Sequence, residues 1–427
     1  MTATSESLAE LARRPDSDDL SARARAVIPS GTSRSTLFVP PAVPMARSGL
    51  GAWLTDESGA KVLDCNNNYT SLVHGHRFEP VQRAVVEALG EGTSFGLPTR
   101  REVALAEHLR DRTGHEQWRF CNSGTEAVMQ AIRCARAMTD RDILVRFQGS
   151  YHGTSDAVTD SDRPGITGGE AQSTVVLPQG DLKSLHELFN TSGPDVAAVL
   201  IDLMPNRAGL EPADPEYVDT VRELTARHGT LMIVDEVITF RLAHGGLCPT
   251  LGVKPDLATF GKIVGGGLPV GALAGRSDVM CSFDPATGPR VAWGGTFSAN
   301  PLTMAAGLAA LEAYDQAAID ELSSRGNELR HRLTQSGVKV NGRGSLLRIM
   351  EPVDVSDLWW ALYRRGVLAG TNALMALSTA MSQRDVDFAA GAVLAAVHDV
   401  PRAHAATVGA EGVRCIEAPR QRDLEPD

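Results

Sequence analysis

Residues 231–276, LMIVDEVITFRLAHGGLCPTLGVKPDLATFGKIVGGGLPVGALAGR, decide the fold. Leu231-Met232-Ile233-Val234 is a short apolar run that ends abruptly in two acids, Asp235 and Glu236. Runs of this length, apolar throughout, are strands buried on both faces of a parallel sheet. A carboxylate at the carboxyl end of such a strand stands where open α/β sheets bind their ligands. A second strand-like run, Leu257-Ala258-Thr259-Phe260, ends at Gly261-Lys262. After Gly265-Gly266-Gly267 comes a third, Val270-Gly271-Ala272-Leu273-Ala274. An acid and a lysine at strand ends, 27 residues apart, predict two groups converging on one ligand from neighbouring strands.

That pairing suits pyridoxal phosphate chemistry. The amine forms a Schiff base with the cofactor, and the acid keeps the pyridinium nitrogen protonated so that the ring takes up electrons. Glycines after Lys262 let backbone pass a planar cofactor with no Cβ in the way. Upstream, residues 119–127 turn from strand-like residues through Ser123-Gly124-Thr125 into a helical run over 126–137. The amino end of a helix binds phosphate through its free N–H groups and dipole. Ser123 and Thr125 add hydroxyl donors there, and Gly124 permits close approach. Read alone, the turn is a helix cap. A strand at 143–147 leads into Gly149-Ser150-Tyr151-His152-Gly153. A Gly/Ser loop at 30–35 carries Arg34 and by itself reads as a solvated turn. Gly294-Gly295-Thr296 precedes a helix starting near Pro301 and reads as its N-cap region.

In this combination and order the motifs resemble the class III pyridoxal-phosphate aminotransferases of fold type I, over about residues 20–400. Within that family the chain is most similar to the glutamate-1-semialdehyde aminomutase-like branch, which includes β-amino-acid aminotransferases. The resemblance implies an α/β fold, with a mostly parallel seven-stranded sheet in a large domain and a small α+β C-terminal domain. It makes Lys262 the Schiff-base lysine, Asp235 the partner of the pyridine nitrogen and Val237 the apolar residue under the ring. Tyr151 is the aromatic stacked on the ring, and the adjoining His152 is counted among the cofactor-binding residues. Ser123, Gly124 and Thr125 become the phosphate cradle. Thr296 would reach the phosphate of the neighbouring subunit, which implies a homodimer with shared sites. The loop carrying Arg34 would enter the active site, where a bidentate guanidinium clamps the substrate carboxylate. Many relatives carry Glu-Pro where this chain has Asp202-Leu203, leaving Asp202 and Asn206 as candidates on the substrate side.

The chain has 427 residues, enough for two domains, and 43% hydrophobic with 22% charged residues is an ordinary globular composition. A net charge of −11 argues against nucleic acid or an anionic membrane as partner. No apolar run is long enough to span a bilayer, and the first fifteen residues lack the apolar core of a signal peptide. The six cysteines lack CxxC spacing and read as free thiols in a reducing cytoplasm. His74 and His76 by themselves make a poor ligand set, so no metal is expected.

Five segments are expected: a disordered lead-in (1–17), an N-terminal segment serving the small domain and active site (18–65), the large cofactor-binding domain (66–312), the small domain (313–405) and a disordered tail (406–427). Helical spacing predicts helices at 20–27, 80–89, 100–112 and 215–228, with strands at 338–340 and 346–350 in the small domain. A hairpin spans 52–64, residues 154–180 read as a mobile active-site loop, and Trp359-Trp360 read as packing.

A nucleotide-binding P-loop is excluded, since it needs glycine at Asp256 and Ser or Thr at Ile263. Thr259-Phe260-Gly261-Lys262 mimics a hydrolase motif without its companion motifs. A catalytically dead scaffold would usually have lost the lysine or the aspartate, and both are present. The expected activity is a two-stage amino transfer between an amino acid, with the β class included, and a keto acid or aldehyde. The alternatives are an intramolecular aminomutase, and a decarboxylase or racemase on the same cofactor. True mutases carry an acid near the Ser378-Thr379-Ala380 segment, where this chain has Ala373, and the stretch after Asp235 is one residue short. Both features favour a transferase.

Overall fold

The computed structural model describes residues 15–402 apart from Ser161, so most of the expected lead-in and the whole expected tail lie outside the described residues. Among the described residues fourteen strands follow in chain order. The first three, β1 (Ala46–Leu50), β2 (Trp53–Asp56) and β3 (Lys61–Asp64), form a meander. Then come β4 (Gln117–Cys121), β5 (Ile143–Phe147), β6 (Thr174–Leu177), β7 (Val196–Asp202), β8 (Leu231–Asp235), β9 (Leu257–Gly261) and β10 (Gly271–Gly275). The C-terminal part of the chain adds β11 (Val340–Arg343), β12 (Leu346–Ile349), β13 (Val367–Leu368) and β14 (Leu374–Ala376).

Strands β4 to β10 make one seven-stranded sheet in the order β4-β10-β9-β8-β7-β5-β6. All pairs are parallel except those of β10, which runs against both β9 and β4. Every residue of β7, β9 and β10 is buried. This is why these strands read as continuous apolar runs rather than as alternating ones. The helices Gly124–Thr139 and Pro215–His228 cover the sheet, the latter ending in a left-handed Gly229 cap.

The N-terminal meander is extended by a strand from far along the chain. β13 pairs in parallel with β3, Val367 lying opposite Leu63. Trp53 Nε1 donates to Asp385 Oδ1 at 3.1 Å, and Trp360 Nε1 donates to the Pro40 carbonyl at 2.6 Å. Trp359 packs face to face with Tyr363 at 5.1 Å. One apolar cluster runs unbroken from Phe120 and Phe260 in the large sheet to Leu347, Leu358 and Met375 in the C-terminal part of the chain.

Three expectations need adjusting. The strand expected at 338–340 lies further on, as β11 (Val340–Arg343). The helix at 20–27 begins earlier, as Pro15–Val27. The segment 154–180, expected to be a mobile loop throughout, contains a short helix, Gly168–Gln172, and the edge strand β6. β6 has only four residues, Thr-Val-Val-Leu, too few to stand out between polar neighbours.

Candidate active site

The strands deliver their chemistry to one edge of the large sheet. β8 ends at Asp235, β7 at Asp202, β9 leads directly into Lys262, and β5 leads into Tyr151-His152. β10 begins at that same edge because it runs the other way, and Gly271 lies opposite both Gly261 and Cys121. A Cβ on Gly271 would stand 1.9 Å from the Ser123 carbonyl oxygen, so only glycine lets the Ser123 turn seat there. A cavity of about 530 Å³ opens at this edge. It brings together Arg34, Ser123, Gly124, Thr125, Tyr151, His152, Asp202, Asp235, Val237 and Lys262.

Asp235 is held by three donors. Val237 N donates to its Oδ1 at 3.0 Å, Thr259 Oγ1 donates to the same oxygen at 3.1 Å, and His152 Nδ1 lies 2.7 Å from Oδ2. Burial pushes this carboxyl up, but the His152 hydrogen bond and charge, helped by Val237 N and Lys262, bring it below the usual carboxylate range. An ionised, fixed acid is therefore available at the cavity floor. His152 is itself buried, and its Nε2 has no hydrogen-bond partner among the described residues.

Lys262 follows β9 with φ 51°, a left-handed backbone that a non-glycine residue adopts only where the surroundings enforce it. Its side chain stands deep in the cavity. Desolvation lowers its pKa, against the opposing pull of Asp235 and Asp202. The result is an amine with less hold on its proton than a surface lysine. Asp202, the register neighbour of Asp235, is pushed up to about 7 by burial first and by the Asp235 charge second. Met204 N donates to its Oδ1 at 2.9 Å.

At the other end, Ser123 is the N-cap of Gly124–Thr139, its Oγ accepting from Glu126 N at 3.2 Å. The cap uses a lone pair and leaves the hydroxyl hydrogen free to donate into the cavity. The helix start thus caps itself and still presents free N–H groups. Gly124 packs tightly on Val237: a Cβ there would come within 3.2 Å of the Val237 methyls.

These residues fit pyridoxal phosphate. There is an amine of lowered pKa for its aldehyde, an ionised buried acid for its ring nitrogen, and a helix N-terminus with hydroxyls for its phosphate. Pyridoxal 5′-phosphate is the cofactor of this chain.

The remaining candidates sort differently. Tyr151 lines the cavity, with the Arg207 guanidinium 4.0 Å from its ring centroid. That stack joins segments far apart in sequence, and nothing in the local sequence signals it. Arg34 lines the cavity and donates from Nη1 to Asn68 Oδ1 at 2.7 Å. Asn68 and Tyr69, also in the wall, were missed by sequence reasoning; the run Asn66-Asn67-Asn68 after a strand end was the available signal, since asparagine tolerates left-handed backbone. Asn206 is outside the cavity lining: its side-chain oxygen accepts from Asn372 Nδ2 at 3.2 Å and its carbonyl from Arg348. Thr296 lines a separate cavity with Phe95, Leu97 and Phe297. His74 and His76 are engaged in hydrogen bonds, His74 with Thr379 and the Ala310 carbonyl, His76 with Asp64.

The family model described as Aminotransferase class-III matches residues 39–381. A glutamate-1-semialdehyde 2,1-aminomutase of Anaeromyxobacter sp. (strain Fw109-5) is 38% identical over 355 residues, covering 78% of this chain and 82% of that protein. An omega-transaminase from Sphaerobacter thermophilus superposes with a TM-score of 0.88 at 39% identity, over 91% of this chain and 99% of its own. A β-phenylalanine aminotransferase from Variovorax paradoxus does so with a TM-score of 0.84 at 32% identity, over 92% and 96%. Among the described residues no helix is long and apolar enough to cross a membrane.

Proposed function

The chain belongs to the class-III aminotransferase family, and from that premise we propose that it moves an amino group between a carboxylate-bearing amino acid, of the β class first, and a keto acid or aldehyde in two successive half-reactions. The observation that carries this reading is Arg34 in the wall of the cavity that also holds Lys262 and Asp235. A cation for a carboxylate and a base for a carbon-bound proton thus face one space. The solved β-phenylalanine and omega-transaminase neighbours support the same class.

When bound, pyridoxal phosphate supplies an aldehyde to take up the amine and an electron-poor ring to stabilise the negative charge left when a proton departs. Ser123, Thr125 and the start of Gly124–Thr139 bind its phosphate. Asp235 holds a proton on the ring nitrogen, and His152 fixes the orientation of Asp235. Lys262 Nζ removes the proton from the substrate carbon bearing the amine and returns one on the acceptor side. Arg34 orients the substrate through its carboxylate. Thr296, outside the cavity of its own chain, serves the site of a second copy, so the working unit is a homodimer.

The aminomutase relative favours a second reading, in which the amino group moves within one molecule. A first experiment separates the two. Holoenzyme, followed by the visible band of its bound cofactor, is mixed with single α- and β-amino acids. Bleaching with release of a keto acid is expected for the transferase. Isomerisation of one substrate without keto-acid release would overturn it in favour of the mutase. Lys262→Ala should lose turnover altogether, and near-parental turnover in that variant would remove Lys262 from its role.

A further inference from the structure

Arg34 sits on an exposed loop, and a flexible guanidinium is a poor specificity element unless something aims it. Its backbone is tied down nearby: the Thr36 carbonyl accepts from Tyr69 Oη at 2.6 Å and from Thr371 Oγ1 at 2.8 Å. Its side chain is directed by Asn68, whose Oδ1 accepts from Nη1 at 2.7 Å, with the guanidinium also 5.6 Å from the Tyr69 ring centroid. Both contacts come from one turn, Asn67–Thr70, in which four successive non-glycine residues have positive φ, at 51°, 48°, 53° and 72°.

Left-handed backbone is unfavourable for L residues and occurs as single residues, not runs. This run persists because it is over-determined. Asp64 Oδ1 accepts from both Asn66 N and Asn67 N, and Asn66 Oδ1 accepts from Tyr69 N. Asn67 Nδ2 donates to the Ala376 carbonyl at 2.6 Å. The fully buried Arg241 donates from Nη1 to the Thr70 carbonyl at 3.1 Å, while its other nitrogens hold Ser345 Oγ and the Leu377 carbonyl. Strain maintained by so many bonds marks a position where geometry matters.

From this juxtaposition we infer that Asn68 is a positioning residue for substrate specificity, a neutral acceptor on a strained turn that aims Arg34 at the substrate carboxylate. The inference rests on the carboxylate-clamp role of Arg34 and names what sets it. Neutrality is the essential property. Among the described residues Arg34 has no acidic partner, so its charge is left for the substrate. An amide takes one of five guanidinium donors and leaves the rest. A carboxylate at position 68 would keep the same bond, neutralise the cation and repel an acidic ligand.

Two variants separate these effects from backbone strain. Asn68→Gly keeps left-handed backbone without penalty and deletes the acceptor, together with the Nδ2 bond to Ser71 Oγ at 3.2 Å. Asn68→Asp is near-isosteric, keeps the acceptor and adds charge. The ligand is 3-phenylpropanoate, a carboxylate lacking the amine, titrated calorimetrically into each holoenzyme, with Arg34→Ala as reference. Roughly tenfold weaker binding is expected for Asn68→Gly, and at least that for Asn68→Asp, as for loss of a charge-assisted contact. KM for a β-amino acid should rise in parallel while kcat and the KM for benzylamine, which has no carboxylate, stay near parental values. Unchanged binding in both Asn68 variants with weakened binding in Arg34→Ala would overturn the role of Asn68 alone. Unchanged binding in all three would overturn the clamp as well. A general rise in KM that includes benzylamine would make Asn68 merely structural and also overturn the inference.

Discussion

Asp202 and Asp235 end neighbouring strands side by side, and two buried carboxyls that close resist ionising together. Asp235 is the one that ionises first, because His152 lies against it; Asp202, pushed up to about 7 by burial and then by Asp235, holds its proton below that pH. The sign of the consequence follows. A carboxyl whose folded value lies above its ordinary 3.8 contributes stability that is full below that value and is lost as pH rises through 7. Asp235, shifted down, works oppositely: its contribution is lost as the solution is acidified through its folded value. Asp202→Asn keeps the acceptor for Met204 N and removes the titration. Across pH 4–7 the cofactor-free variant should therefore lose less stability than the parent, the slopes differing by up to about 1.4 kcal/mol per pH unit. Urea midpoints across that range measure it, and parallel slopes would show Asp202 ionised in the folded protein. Asp202 is legible in sequence as an acid at the end of an apolar strand. Its proton is not, because that depends on burial in the folded sheet first, and then on Asp235, 33 residues on and adjacent only through sheet register.

Among the elements, what was legible follows from burial. β7, β8 and β9 are short runs of wholly apolar residues broken by one chemical residue each, and parallel strands covered on both faces have to look that way. Contacts made by polar side chains across long separations carry no such signature, which is why Asn206 is paired with Asn372 and Arg348 rather than facing the cavity. β10 lies between these cases: its apolar run reads as a strand, but its antiparallel course does not show in the sequence. That course places Gly271 against the Ser123 carbonyl at the start of the phosphate cradle. Backbone on one side and β10 on the other cannot both yield to a methyl group. Gly271→Ala should destabilise the protein by about 1–3 kcal/mol, as overpacking does. It should also weaken cofactor binding, since Ser123 must shift, whereas Gly391→Ala, with open space for its Cβ, should do neither. Thermal unfolding and cofactor titration read the two effects separately. A loss of stability with unaltered cofactor affinity would mean that Ser123 does not depend on the β10 contact for its place.

For the molecule as a whole, the single chain leaves conspicuous apolar surface around Thr296. Phe95 is 50% exposed, Leu97 78% and Phe297 59%, and all three line the cavity that holds Thr296. Large apolar side chains gathered in this way mark an interaction surface. A two-fold dimer using this face would cover them in both subunits and could bring Thr296 of each to the phosphate of the other. Complementation distinguishes this from a monomer or from unshared sites. Lys262→Ala removes the base, and Thr296→Asp sets a negative charge against the phosphate, so each variant alone should be nearly inactive. In a hybrid of the two, one site combines both defects and the other has neither. Random reassortment makes half of the dimers hybrids, so mixing should restore about a quarter of the parental activity. Sedimentation of the mixture should give dimers throughout. Recovery would require that one chain supplies the lysine and the other the threonine of the same site. No recovery from a mixture shown to exchange subunits would confine Thr296 to its own chain and remove it from the phosphate site.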